Sequence, residues 1–265
     1  MKLSISNIGW TSSDDEEMYE YISKLGFAGI EIAPTRIFPQ NPYSNLKIAR
    51  DWANTLQKRY HLVIPSIQSI WYGRTEKIFD SESGRKALSD YTKHAIDFAE
   101  AIGCHNLVFG CPKNRVLTDK SDWLIGVEFF RNLAVYAAEH NTVIGMEANP
   151  DIYGTNYINT NYEALDLIAE VDMPCFKLNL DLGSMIQNQE SPAILRGQVK
   201  NISHVHVSEP FLKPIEEREL HKKVADILSE ENYQGYVSIE MGKSEDLSVL
   251  RKVMDYVKEV FGTDE

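Results

Sequence analysis

The sequence predicts an α/β fold, a (β/α)8 TIM barrel in which residues 1–265 form a single domain. Eight short apolar runs, each followed by a stretch of helical character, indicate a parallel sheet covered by helices. Eight such units in 265 residues suit a closed barrel better than an open, doubly wound sheet. The sequence also lacks the motifs that are typical of an open sheet, because no apolar run is followed by a G-x-G-x-x-G or G-x-x-x-x-G-K-[ST] loop.

The predicted elements alternate along the whole chain. The first strand alternates apolar and polar residues, and the first helix opens with the capping sequence Ser-Ser-Asp-Asp-Glu-Glu and ends at Gly26. The long helix before the fourth strand ends in the same way at Gly103, and the next helix begins at Ser121 and Asp122. The predicted strands are 2–8, 28–33, 61–68, 106–110, 142–147, 175–181, 201–207 and 235–241. The predicted helices are 14–25, 46–60, 83–102, 121–140, 161–171, 191–196, 216–231 and 245–260.

Composition narrows the class of protein. A net charge of −12 and a pI near 5.1 disfavour binding to nucleic acid, which needs clustered Lys and Arg. No apolar run approaches the roughly 18 residues of a membrane span, and the N-terminus does not resemble a signal peptide. Three cysteines without a C-x-x-C motif, Cys104, Cys111 and Cys175, are typical of reduced thiols. We therefore expect a cytoplasmic protein with no membrane partner.

Polar side chains occupy matching positions at the ends of the last four predicted strands. Because side chains alternate across a strand, one face of each strand carries polar or small residues and the other carries apolar ones that pack on the helices. The polar face carries Gly145 and Glu147, Asn179 and Asp181, His204 and His206, and Ser238 and Glu240. The last residue of each pair lies at the C-terminal end of the barrel, where barrel active sites are found.

This arrangement predicts a metal site. Three carboxylates gathered in one cavity, Glu147, Asp181 and Glu240, would repel each other, and at least one would be forced to take a proton. A divalent cation removes this repulsion. Hard carboxylate oxygens with one imidazole, from His206, suit Mn²⁺, Mg²⁺ or Co²⁺, with Zn²⁺ as a further candidate. We expect His204 to lie one layer beneath, as a supporting or core residue.

The ordered set resembles the xylose isomerase-like barrel superfamily of sugar phosphate isomerases and epimerases. The resemblance rests on Glu147, on Asp181 in Asn-Leu-Asp-Leu-Gly, on His206 in His-Val-His-Val and on Glu240 in Ser-Ile-Glu-Met. It spans essentially the whole chain and implies that these residues bind one divalent metal. It further implies that Glu147 and Glu240 are the acid and base of an isomerase or epimerase, which remove and return a carbon-bound proton through an enediolate.

The loops at the same end of the barrel supply candidates for substrate binding. Lys113, Asn114 and Arg115 follow the fourth strand and are suited to bind sugar hydroxyls or a phosphate. Glu209, just beyond His206, is placed to contact substrate or to orient a ligand. The predicted substrate is a small sugar, sugar phosphate or polyol. Weaker candidates at the mouth are Trp10, Glu31, Arg36, Trp71 and Tyr72.

Three other functions are compatible with this fold. The same superfamily contains metal-dependent dehydratases of polyols such as inosose, and a barrel without catalysis would bind carbohydrate only. An enzyme like endonuclease IV would need additional histidines on the early strands, and predicted strands two, three and four end without any. The sequence leaves open the substrate, the metal and whether the chain forms a homo-oligomer.

Overall fold

The computed structural model describes residues 1–262 and contains seven parallel strands in one curved sheet. The order of the strands across the sheet is β2-β1-β7-β6-β5-β4-β3. The strands are β1 (Lys2–Ser6), β2 (Gly29–Glu31), β3 (Asn106–Phe109), β4 (Val143–Glu147), β5 (Phe176–Asp181), β6 (Ile202–Ser208) and β7 (Tyr236–Glu240).

The segment 61–68, predicted as the third strand, joins the two edges of the sheet without forming a regular strand. Val63 bridges to β2, and Ile67 bridges both to Ile32, next to β2, and to Leu107 in β3. The Ile67 amide donates to the Asn106 carbonyl at 3.0 Å, and its carbonyl accepts from the Val108 amide at 2.8 Å. Pro65 interrupts the segment because it has no amide hydrogen to donate. The predicted (β/α)8 barrel is confirmed, with this segment in the place of its third strand.

Helices lie between the strands along the chain and cover the outside of the sheet. They are α1 (Asp15–Leu25), α2 (Pro34–Ile37), α3 (Leu46–Tyr60), α4 (Glu82–Ala101), α5 (Trp123–Glu139), α6 (Asn161–Val171), α7 (Leu182–Asn188), α8 (Glu219–Glu230) and α9 (Leu247–Phe261). All but α2 and α7 correspond to predicted helices. The predicted helix 191–196 is a 3-10 turn over Pro192–Leu195. None of the helices within residues 1–262 is long and apolar enough to cross a membrane.

The two faces of the strands differ as their alternation predicts. Apolar side chains from one face, such as Ile144, Leu178 and Val205, are fully buried in the core. The other face brings polar side chains together inside the barrel, where His204 Nε2 lies 2.7 Å from Ser238 Oγ. The interior therefore holds a polar network whose upper end opens at the C-terminal ends of the strands.

Candidate metal centre

Four side chains converge at the C-terminal end of the barrel, one each from β4, β5, β6 and β7. They are Glu147, Asp181, His206 and Glu240, and one potential ligand atom from each lies within 4.8 Å of the others. His206 Nδ1 is 3.2 Å from Glu147 Oε2 and 3.2 Å from Glu240 Oε2. These are the four residues whose strand positions predict a metal site, and the barrel brings all of them together.

The carboxylate of Glu147 is held by two amide side chains. Asn149 Nδ2 donates to Glu147 Oε1 at 2.8 Å, and Asn179 Nδ2 donates to Oε2 at 2.9 Å. Gly110, just after β3, gives the carboxylate its room, because a Cβ atom at this position would lie 2.8 Å from Oε1. A glycine is therefore required here for close approach, although its backbone is not in the left-handed region.

Asp181 and Glu240 are oriented by different means. Asp181 caps the N-terminus of α7, where its Oδ1 accepts from the Ser184 amide at 2.6 Å, and Ser208 Oγ donates to Oδ2 at 2.5 Å. Glu240 Oε1 accepts from Gln68 Nε2 at 2.9 Å. Neighbouring donors thus fix both oxygens of Asp181 and one oxygen of Glu240, which sets the direction of each carboxylate.

His206 is fixed from its other nitrogen. Glu31 Oε2 lies 2.8 Å from His206 Nε2 and 3.0 Å from His204 Nε2, and all three side chains are buried. An Nε2–H that donates to Glu31 leaves the lone pair of Nδ1 directed at the carboxylates of Glu147 and Glu240. His204 therefore lies beneath the site, as its position in the strand predicts, and Glu31 gains a defined place.

The electrostatics of the site favour a bound cation. Burial and the carboxylates of Glu147 and Glu240 raise the pKa of Asp181 to about 7, and burial raises the pKa of Glu240. Burial alone would lower the pKa of His206, but the carboxylates of Glu31 and Glu240 raise it well above its usual range. A divalent ion among these oxygens would replace the protons that the site otherwise requires, so the residues present fit such an ion.

A cavity of about 230 Å³ opens onto these residues. Its walls include Gln68, Glu147, Tyr153, Asp181, Leu212 and Glu240. A larger cavity of about 500 Å³ lies at the opposite end of the barrel, lined by residues at strand beginnings such as His105 and Lys177. We assign the functional site to the smaller cavity, because it contains the convergent carboxylates and lies at the end where barrel enzymes react.

The three candidates that follow β3 lie outside the walls of this cavity. Arg115 is fully buried and donates from Nη2 to the Glu147 carbonyl at 2.8 Å and to Asn149 Oδ1 at 2.6 Å. Asn114 donates to the carbonyls of Arg74 and Glu76, which fixes the neighbouring loop, and Lys113 is exposed. Their predicted contact with substrate stays a prediction, and the structure gives Arg115 a different task, the positioning of Asn149.

Glu209 does line the cavity, but its charge is already paired. Arg218 donates from Nε to Glu209 Oε1 at 2.6 Å and from Nη2 to Oε2 at 2.7 Å. Glu209 is buried and Arg218 is about one-third exposed. This two-pronged pair holds the turn after β6 in place, and it leaves the carboxylate less free to bind a hydroxyl.

The weaker candidates have mainly structural contacts. Arg36 donates to Asp15 Oδ1 at 2.6 Å and to the Trp10 carbonyl at 3.2 Å, next to the buried Trp10 ring. Trp71 is also buried and donates to Thr92 Oγ1 at 2.8 Å, whereas Tyr72 is 71% exposed. The three cysteines are free thiols, as their spacing predicts.

The sequence alone did not identify several residues of the site. Asn149, Ser208 and Gln68 orient the carboxylates, and Tyr153 and Leu212 form the mouth. Gln68 and Asn149 could have been found from their places at the end of the third segment and just after β4. Tyr153 and Leu212 lie at the ends of short 3-10 turns between longer elements, and no periodicity marks them.

A comparison with protein families matches residues 19–260 of the chain to a model described as xylose isomerase-like TIM barrel. No curated protein matches the sequence. Among solved structures, a 3-keto-D-glucoside 4-epimerase from E. coli is 20% identical over 98% of both chains, with a TM-score of 0.76.

Two other solved structures are about equally similar. A D-psicose 3-epimerase from Clostridium cellulolyticum H10, solved with D-tagatose, is 19% identical over 99% of this chain and 100% of its own, with a TM-score of 0.77. An AP endonuclease of family 2 from Brucella melitensis is 20% identical over 97% of this chain and 99% of its own, with a TM-score of 0.75. At these identities the similarity establishes the fold.

Proposed function

We propose, since the chain belongs to the xylose isomerase-like TIM barrel family, that it is a divalent-metal-dependent isomerase or epimerase of a small sugar or sugar derivative. The observation that carries the proposal is the convergence of Glu147, Asp181, His206 and Glu240 around one point at the mouth of the barrel. Similar folds among sugar epimerases, such as the 3-keto-D-glucoside 4-epimerase and the D-psicose 3-epimerase, agree with it.

In this proposal the two glutamates transfer the proton. Glu147 lies at the end of β4 and Glu240 at the end of β7, and the two approach His206 Nδ1 at equal distances of 3.2 Å. One carboxylate removes a proton from the carbon next to a carbonyl, and the other returns it to form the isomer or epimer. Burial raises the pKa of Glu240, which suits this carboxyl group to hold and donate a proton closer to neutral pH.

Asp181 and His206 hold the metal together with the two glutamates. Their hydrogen bonds to Ser184, Ser208 and Glu31 fix their orientation, which suits groups that hold a metal ion. When bound, Mn²⁺, Mg²⁺ or Co²⁺ would polarise adjacent sugar oxygens and stabilise the negative charge of the enediolate. The oxygen-rich donor set favours these ions over metals that prefer thiolates, and Zn²⁺ is a further candidate.

A role on DNA is the weaker interpretation, although one similar fold is an AP endonuclease. A net charge of −12 opposes approach to a phosphate backbone. Within residues 1–262, two groups of side chains could hold a metal ion, and both of them include His206. We therefore favour an enzyme that acts on a small sugar or polyol over one that acts on DNA. We also propose that it is cytoplasmic.

The deciding experiment measures proton exchange and metal content on the same samples. The purified chain is stripped with a chelator, reloaded with Mn²⁺, and incubated with a panel of keto-sugars in deuterated water. We expect deuterium at the carbon next to the carbonyl, recovery of the epimer or isomer, and dependence on added metal. Glu147→Gln and Glu240→Gln should each lose exchange. Glu190→Gln, which alters a buried carboxylate bonded to Asn161, is the matched control.

The other outcomes identify the alternatives. Loss of water together with exchange indicates a dehydratase of the same fold. Retained metal and sugar binding without any exchange indicates a barrel that only binds carbohydrate. Turnover by the metal-free protein would exclude the proposed metal role, and exchange retained by Glu240→Gln would exclude Glu240 as an acid or base.

A further inference from the structure

The candidate active-site cavity has no positively charged wall. Its charged lining residues within the described chain are four acids, Glu147, Asp181, Glu209 and Glu240. Even with a dication bound, the three carboxylates around it leave a net charge of −1. Arg115 is nearby, but it is fully buried and donates to Glu147 and Asn149. A phosphate or carboxylate group on a substrate would thus meet repulsion here.

The cavity is also small. Its volume of about 230 Å³ is below the roughly 300–1,000 Å³ that is usual for ligand pockets. It therefore accommodates one small polyol next to the carboxylates. Any larger group on that polyol must project outward through the mouth, past Tyr153 and Leu212.

The mouth presents apolar side chains to water. Tyr153 and Leu212 line the cavity, and the Phe211 ring packs against the Tyr153 ring with centroids 5.6 Å apart. Phe211 is 60% exposed and Leu212 is 37% exposed. We call Tyr153, Phe211 and Leu212 the apolar rim. Exposed apolar side chains next to a cavity are typical of a ligand-binding surface.

The backbone holds this rim in a fixed conformation. Phe211 and Leu212 have φ values of 61° and 53°, a left-handed conformation that bulky residues rarely adopt. Three hydrogen bonds maintain it: Phe211 N to Tyr153 Oη at 2.8 Å, Leu212 N to the Glu209 carbonyl at 2.9 Å, and Gly242 N to the Leu212 carbonyl at 2.8 Å. The pair between Glu209 and Arg218 anchors the turn. The rim is therefore formed before any ligand arrives.

We propose that the apolar rim binds an apolar substituent of an uncharged sugar, so that the substrate is a neutral keto-sugar derivative, such as a glycoside that carries its carbonyl on the ring. The inference rests on the proposed function for the part of the substrate inside the cavity. The observation that supports the inference is the continuity of the rim with the cavity, because Tyr153 and Leu212 belong to both. The sugar ring lies among the carboxylates, and its apolar substituent lies over Tyr153, Phe211 and Leu212.

The test measures binding and needs no turnover. The Mn²⁺-loaded protein is titrated calorimetrically with methyl and phenyl glycosides of glucose, galactose and mannose, and with glucose 6-phosphate. We expect at least one phenyl glycoside to bind roughly tenfold more tightly than its methyl partner. Phe211→Asn, which suits a left-handed backbone, should bring this ratio close to one and leave the methyl glycoside unchanged. Tyr162→Asn removes an equally exposed ring on α6 and should change nothing.

Equal binding of phenyl and methyl glycosides, or no measurable binding of either, overturns the proposal. Tighter binding of glucose 6-phosphate than of the methyl glucoside does so as well. If Phe211→Asn instead changes the sedimentation of the protein and leaves the glycoside preference intact, the rim is an interface between copies of the chain. These titrations measure binding and not proton transfer. Absence of deuterium exchange would therefore contradict the proposed function, whereas absence of a preference for the phenyl glycoside would contradict only the role of the rim.

Discussion

His206 Nε2 lies 2.8 Å from Glu31 Oε2. Both side chains are fully buried, and the two residues are 175 positions apart in the sequence. Burial opposes ionisation of Glu31, but the charge of His206 and the hydrogen bonds from His204 and His206 outweigh it and lower the pKa of its carboxyl group well below its usual range. Glu31 is thus a permanent acceptor beneath the site. It determines which nitrogen of His206 faces the metal position.

Replacement of Glu31 by Gln should weaken metal binding without removing a ligand. The neutral amide is a poorer acceptor for the Nε2–H of His206, so the ring is less firmly oriented and less basic. We expect the affinity for Mn²⁺ to fall about 10- to 100-fold in calorimetric titrations of the metal-free protein. Glu190→Gln, at a buried carboxylate away from the site, should keep its affinity. Unchanged affinity in Glu31→Gln would show that Glu31 only fills the core.

The part of the site that could be predicted depends on local alternation within strands. Glu147, Asp181 and Glu240 follow apolar strands at matching positions, and parallel strands bring such positions to one end of a barrel. The side of the strand on which Glu31 lies makes it only a weak candidate from the sequence. Its contact with His206 depends on the shape of the closed barrel, which no local pattern encodes.

Burial and loop conformation account for most of what the sequence could not show. Arg115 follows β3 at the mouth, and its distance from solvent depends on how loops from other strands cover it. The helix α7 could have been predicted, because Asp181 and Ser184 have the spacing of a helix N-cap. The segment 61–68 resembles a strand in composition, but Pro65 removes one of the hydrogen bonds that a regular strand needs.

Replacement of Gly110 by Ala should disturb Glu147 directly. The added methyl group would lie 2.8 Å from Glu147 Oε1, so the carboxylate must rotate and give up its hydrogen bond from Asn149. We expect kcat for proton exchange to fall about 10- to 100-fold. Thermal unfolding should shift little, because the clash involves the end of one side chain. Full activity in this variant would mean that the Glu147 carboxylate is not fixed in its observed orientation.

The stability of the metal-free protein should depend on Asp181. Its pKa is raised from 3.8 to about 7, so its protonated form is favoured in the folded state. The stabilisation is complete below about pH 4 and is lost as the pH rises through about 7, a change on the order of 4 kcal/mol. Urea unfolding from about pH 4 to pH 8 should therefore show the wild type losing stability relative to Asp181→Asn.

Two further measurements complete this test. Mn²⁺ added to the wild type at about pH 8 should restore the lost stability, because the ion binds the ionised carboxylate, and it should restore much less in Asp181→Asn. Parallel stability curves for the two metal-free proteins over the whole pH range would contradict the raised pKa of Asp181.

Arg115 should act on catalysis through Asn149, since its guanidinium donates to Asn149 Oδ1 and Asn149 in turn donates to Glu147 Oε1. Arg115→Lys keeps the charge but cannot span the Glu147 carbonyl and Asn149 together. We expect kcat to fall about tenfold with little change in KM. Lys113→Ala is the matched control, because this exposed lysine lies outside the cavity walls, and both of its constants should remain as in the wild type. An increase in KM alone, in either variant, would instead assign that residue to substrate binding and would weaken the inference of an uncharged substrate.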